Sequence, residues 1–219
     1  MYTADLDAEP VDDSALSDDE CERAARFRFD HDRRRFVAGR SALRSLIAAY
    51  LDVAPAEVAF GYGPQGKPFV PGSTLSFNVS HSGGCAVYAF GSCHEIGVDV
   101  ELLDHARYGD DVTERFFSPD EVATLQALEP AMRPLAFLRC WTRKEAFIKA
   151  RGEGLSLPLH EFDVAFAPGT RPRILRTAWS AHEPAEWTLC DISGFGPGAI
   201  AAMAVRSARA YAVFKGHIC

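Results

Sequence analysis

The feature that most constrains this 219-residue chain is the order of its patterns: in each half, helices with an apolar stripe stand ahead of a run of short strands. In the first half, residues 32–51 place Phe36, Leu43, Leu46, Ile47 and Tyr50 on one side at helical spacing. Strand patterns follow around 75–79, 85–90 and 96–102, separated by Ser/Gly turns. The second half repeats the order with a long helix over 133–151, stopped by Gly152, and strands over 161–166, 173–178, 186–192 and 199–205. Shorter helices come first in both halves. Ser17 with Glu20 forms a capping box, and Ser118-Pro119-Asp120-Glu121 reads as N-cap, proline at N1 and acids in the first turn of a helix running to about Leu128. This order predicts an α+β fold of two pseudo-symmetric α+β halves with the active site at their interface. Residues 1–16 are an acidic segment that need not be ordered, 17–104 the N-terminal half and 105–219 the C-terminal half.

Composition narrows the function classes. Hydrophobic residues make up 47% of the chain, enough for a substantial core, yet no stretch of about 18 apolar residues could span a bilayer. The first twenty residues are acidic where a secretory signal would be basic and then apolar, so a cytoplasmic protein without a membrane partner is expected. Cysteines 21, 85, 93, 140, 190 and 219 lack CxxC spacing and read as reduced thiols, with Cys85 and Cys140 in the core and Cys219 exposed. A net charge of −7 argues against nucleic acid as a partner. Arginines nevertheless crowd residues 23–44, including Arg23, Arg35, Arg40 and Arg44, which suits a small polyanionic ligand, although a solvated helix face accounts for most of them.

Two acidic motifs carry the chemistry. In Gly97-Val98-Asp99-Val100-Glu101, strand alternation sends Asp99 and Glu101 to one face and the valines to the other. In Trp141-Thr142-Arg143-Lys144-Glu145-Ala146-Phe147-Ile148-Lys149, helical spacing aligns Trp141, Glu145 and Lys149. Three carboxylates and a lysine suggest Mg²⁺ holding a phosphate ester or anhydride. The same patterns also describe a solvated strand face and a surface ion pair on a helix. Phe77-Asn78-Val79-Ser80-His81-Ser82-Gly83-Gly84 places amide, hydroxyl and imidazole groups at a strand end, which suits an anion but equally a hairpin turn. Gly61 to Pro68 is a turn-rich loop carrying Lys67.

Taken together and in this order, GPQGKP, FNVSHS, GVDVE and, some forty residues on, WTRKEAFIKARGEGL resemble the 4′-phosphopantetheinyl transferases of the Sfp type, over about residues 17–202. The resemblance implies transfer of the phosphopantetheine arm of coenzyme A to a serine of an apo acyl or peptidyl carrier protein, as in secondary metabolite biosynthesis. It also implies a monomer. By resemblance, Asp99, Glu101 and Glu145 bind Mg²⁺, Glu145 is the general base, and Lys149 contacts the pyrophosphate and assists the leaving bisphosphate. Ser80 and His81 match positions that hold coenzyme A phosphates. Gly66 and Lys67 match the loop beside the adenine nucleotide, and Arg23 a 3′-phosphate contact, with Arg35 a weaker candidate.

One departure stands out: Glu20 occupies the position where some members have a second lysine, leaving the 3′-phosphate clamp thinner or drawn from other arginines. Trp141 is expected to pack and fix its helix. Arg115, Phe116 and Phe117 are candidates for carrier docking, with at least one of the phenylalanines expected in the core. Two other readings stay open, a Mg²⁺-dependent phosphohydrolase or nuclease and a non-catalytic coenzyme A or carrier-binding module.

Overall fold

The protein is described by a computed structural model covering residues 1–8, 12–92, 95–105, 110–192, 198–208 and 215–218. Cys93 and Cys219 lie outside the described residues. In chain order the elements are β1 (Tyr2–Asp5), α1 (Asp18–Ala25), α2 (Asp30–Leu51), β2 (Gly61–Tyr62), β3 (Pro68–Phe69), β4 (Leu75–Ser82), β5 (Cys85–Ser92) and β6 (Ile96–Leu102). They continue with α3 (Asp110–Phe116), α4 (Pro119–Gln126), α5 (Arg133–Arg151), β7 (Phe162–Val164), β8 (Ile174–Thr177), β9 (Thr188–Ile192), β10 (Ala199–Val205) and β11 (Gly216–Ile218). No described helix is long and apolar enough to cross a membrane.

Two sheets carry the fold. The first has the order β11-β1-β5-β4 and the second β6-β10-β9, and two short hairpins, β2-β3 and β7-β8, flank them. Strand alternation sorts the core into layers. On β5, Ala86 and Tyr88 face α2 beside Leu43 and Ile47, while Val87 and Ala89 face Val98, Val100, Ala201 and Met203 of the second sheet. On β10, Ala202 and Ala204 turn the other way and pack with Ala146, Phe147 and Ala150 of α5. The layers thus run α2, first sheet, second sheet, α5, which is the expected α+β arrangement of two helix-on-sheet halves.

Three features depart from the sequence reading. Tyr2–Asp5, in the segment that need not be ordered, is a strand: Tyr2, Thr3, Ala4 and Asp5 pair antiparallel with Tyr88, Val87, Ala86 and Cys85. Its acids sit at the solvent end, where Leu6 N–H bonds Gly84 O at 2.7 Å, and a four-residue strand is too short to show alternation. β6, grouped with the first half, instead forms its ladder with β10, from Ile96 opposite Val205 to Leu102 opposite Ala199. β11, which pairs parallel with β1, carries no strand signal in the sequence.

The helix ends match their capping chemistry. Ser118 Oγ accepts from Glu121 N at 3.2 Å and Glu121 Oε2 from Ser118 N at 3.0 Å. Gly152 closes α5 with φ +76°, where an L side chain is strained, and its N–H bonds Ile148 O at 3.0 Å. Of the described cysteines, Cys140 is buried in the core as expected, whereas Cys85 is half-buried.

Candidate functional site

Gly97 sets the site. A Cβ at this position would lie 2.1 Å from Ala146 O and 2.3 Å from Ala150 N, so only glycine allows β6 to press its backbone against α5. With Val98 and Val100 turned into the core between the sheets, Asp99 and Glu101 share the face of Gly97 and look toward α5. From α5, residues 143 and 144 point elsewhere. Arg143 makes a two-pronged pair with Asp191 at 2.8 and 2.6 Å, and Lys144, wholly buried, bonds Glu121 at 2.8 Å and Leu159 O at 2.7 Å. Trp141 packs edge-on against Phe116 and stacks on Phe137, the packing role expected of it. Phe117 is core, Phe116 packs against that core, and Arg115 lies over the Phe116 ring.

Glu145 and Lys149 face the strand carboxylates. Lys149 Nζ donates to Asp99 Oδ1 at 2.5 Å and to Ser80 Oγ at 3.1 Å. Asp99 is 3% exposed, and burial raises its carboxyl above the ordinary range while Lys149 and Ser80 oppose the shift. Its other oxygen, Oδ2, is buried without a hydrogen-bond partner. Burial also lifts Glu145 to about 7, with Lys149 opposing and the charges of Asp99 and Glu101 adding to the rise.

The expected three-carboxylate metal cluster is not assembled as such: among the described residues no three His, Cys, Asp or Glu side chains stand ready to hold one ion. The physical reason is mutual repulsion, relieved here by Lys149 on Asp99 and by the raised affinity of Glu145 for a proton. The residues still suit a hard cation. Asp99 Oδ2 is a buried acceptor lacking a donor, and Mg²⁺ needs only one or two carboxylates when phosphate oxygens complete its shell.

A cavity of about 610 Å³ opens on the other face of β4, between the first sheet and helices α1 and α2. Arg23, Arg35, Arg40, Gly66 and His81 are among its walls, with Phe36, Leu43 and Tyr88 as apolar lining. His81 is open to solvent at its rim, yet the protein packed around it lowers the imidazole below its ordinary range. Lys149, Arg23 and Arg35 act in the same direction and Asp99 against it, so His81 feels both the arginine cavity and the carboxylates. The charge of Arg35 is largely answered by Asp7, which it grips at 2.7 Å through each oxygen.

Several expected contacts are used otherwise. Gly66 lines the cavity, but the Lys67 ammonium turns away from it and donates to Lys149 O at 2.7 Å, Ile96 O at 2.8 Å and Ala150 O at 3.3 Å. Burial lowers Lys67 to about 8. Ser80 is turned to the carboxylates: its hydroxyl donates to Asp99 Oδ1 at 2.8 Å. Glu20 is buried and ion-paired with Arg44 at 2.7 Å and Arg40 at 3.3 Å.

Arg40, named in the sequence only as one of the crowded arginines of residues 23–44, is the one that the structure singles out. Its Nη1 is buried without a hydrogen-bond partner, and it borders both the main cavity and a smaller one shared with Arg23, Gly66 and Tyr62. The available signal was its place on the apolar stripe of its helix, four residues after Phe36 and three before Leu43.

Comparison with known proteins identifies the family. Residues 95–204 match the profile described as 4′-phosphopantetheinyl transferase superfamily, and residues 11–93 one described as 4′-phosphopantetheinyl transferase, N-terminal. The chain is 40% identical over 193 residues to the 4′-phosphopantetheinyl transferase HetI of Nostoc sp., covering 84% of this chain and 81% of that protein. It is 34% identical over 152 residues to the 4′-phosphopantetheinyl transferase Sfp of Bacillus subtilis, covering 69% and 66%. Among solved structures, the holo-(acyl-carrier-protein) synthase of Bacillus anthracis in complex with CoA is 21% identical, with a TM-score of 0.39 over 50% of this chain and 92% of that one.

Proposed function

The chain belongs to the 4′-phosphopantetheinyl transferase superfamily, and from that premise we propose that it transfers the 4′-phosphopantetheine group of coenzyme A to a serine of an apo acyl or peptidyl carrier protein. The products are the holo carrier and adenosine 3′,5′-bisphosphate. The observation that carries the assignment is the seam between β6 and α5, where Asp99 gives one oxygen to Lys149 and keeps the other buried and unpartnered beside Glu145. The arginine-lined cavity around the end of β4 supports placing the nucleotide there, with Arg23, Arg40 and His81 on its phosphates and Gly66 beside it.

The carrier serine attacks the phosphorus on the pantetheine side of the pyrophosphate, a new O–P bond forms, and the bond to the bridging oxygen breaks. Glu145, held near 7, takes the serine proton. Lys149 contributes positive charge where the leaving bisphosphate gathers negative charge. Asp99, Glu101 and Glu145 would hold Mg²⁺, which when bound offsets the charge of the pyrophosphate. In this reading the enzyme acts as a monomer in the cytoplasm.

The test is intact-mass spectrometry of apo carrier proteins incubated with this protein, coenzyme A and Mg²⁺. A gain of one phosphopantetheine group that disappears with EDTA and with Glu145→Ala is the expected result. No gain on any carrier tested, from a folded protein that binds coenzyme A, would overturn the assignment in favour of a binding module.

A further inference from the structure

Three side chains of one face of β4 meet three backbone amides of β6 at a constant offset. Asn78 Oδ1 accepts from Val98 N at 2.8 Å, Ser80 Oγ from Val100 N at 3.4 Å, and Ser82 Oγ from Leu102 N at 3.3 Å. The same two hydroxyls donate to the strand carboxylates lying between those amides: Ser80 Oγ to Asp99 Oδ1 at 2.8 Å and Ser82 Oγ to Glu101 Oε2 at 2.9 Å. The free edge of the second sheet is therefore closed by side chains, and each serine ties a carboxylate to the backbone beside it.

We propose that Ser80 and Ser82 are positioning residues that aim Asp99 and Glu101 at the cation, and are not ligands of the coenzyme A phosphates. The inference rests on the metal role assigned to those carboxylates above. A hydroxyl offers one donor and two acceptor sites. Ser80 has used all three, on Asp99, Val100 N and Lys149 Nζ, and is buried, so nothing remains for a phosphate. Holding Oδ1 from two sides fixes the carboxyl so that Oδ2, buried and without a donor, is the oxygen left for a cation. Glu101 Oε2 accepts from Ser82 Oγ one strand repeat further along. Hydrogen bonds to metal-binding carboxylates set their orientation and shift metal affinity by about 10–100-fold.

The experiment is calorimetric titration of magnesium chloride into the protein saturated with coenzyme A, with no carrier present, for wild type, Ser80→Ala and Ser82→Ala. Coenzyme A titrations and thermal melts in EDTA accompany it. The expected result is cation binding weakened about tenfold in each variant, with coenzyme A affinity in EDTA unchanged and a cooperative melt showing that each variant is folded. Weaker coenzyme A binding in EDTA with cation binding intact would make the serines phosphate ligands and overturn the inference. If wild type takes up no cation, the metal role itself fails and this inference with it. If wild type binds the cation and both variants bind it as tightly, only the positioning role falls. Should Ser80→Ala not fold, Ser82→Ala at the end of the strand decides the matter alone.

Discussion

Glu145 is a carboxylic acid whose surroundings hold it near 7, and that has a measurable cost to the fold. Its folded value lies above the unfolded one of 4.5, so its contribution to stability is fully present below pH 4.5 and is lost as pH rises toward 7. In metal-free protein, Glu145→Gln should therefore melt like wild type near pH 4.5 and be more stable above pH 7, by about 2–3 kcal/mol. Equal melting temperatures for the two proteins at pH 8 in EDTA would show that the surroundings of Glu145 do not disfavour its ionised form. Asp99 differs in kind: burial raises it too, but Lys149 and Ser80 bond the ionised form and oppose the rise. Two carboxyls within one seam are thus set to different tasks, one able to accept a proton near neutral pH and one kept in a charge pair.

At the scale of elements, the decisive contact is strand β6 against helix α5. The atoms a Cβ on residue 97 would strike are backbone, Ala146 O and Ala150 N, so no side-chain rotation relieves the clash. Gly97→Ala should cost about 3 kcal/mol of stability, at the upper end for overpacking, and should also move Asp99 away from Lys149. Chemical unfolding together with Mg²⁺ titration of the variant checks both. A variant that unfolds like wild type would mean that the strand and helix slide apart at little cost. The helix itself is divided by residue: Arg143 and Lys144 fasten it to the second half, while Glu145 and Lys149 face the seam. The motif therefore joins an anchor and a working face within seven residues.

Over the whole molecule, Lys67 ties the two halves together. It leaves a loop of the first half and places three hydrogen bonds on the carbonyls that end α5 and begin β6. Lys67→Met should cost about 2–3 kcal/mol, as for hydrogen bonds to a charged group, and should raise amide exchange around 149–152. Unchanged exchange there would mean that the two halves are held by their apolar faces alone. The helix-then-strand order of each half was legible from spacing: α5 spans the expected 133–151 and β10 the expected 199–205, because a long periodic run repeats its signal. So were Asp99 and Glu101 on one face, since alternation along a strand is a local rule. The uses of Lys67, Ser80, Glu20 and Arg40 were not, because nothing in the neighbouring residues says whether a charged or hydroxyl group will meet a ligand, a carbonyl or a carboxylate arriving from 19 or more positions away. Local patterns set the faces and ends of the elements, whereas the choice of partner for each polar group waited for two sheets to pack and bury it, since burial is what makes a missing partner costly.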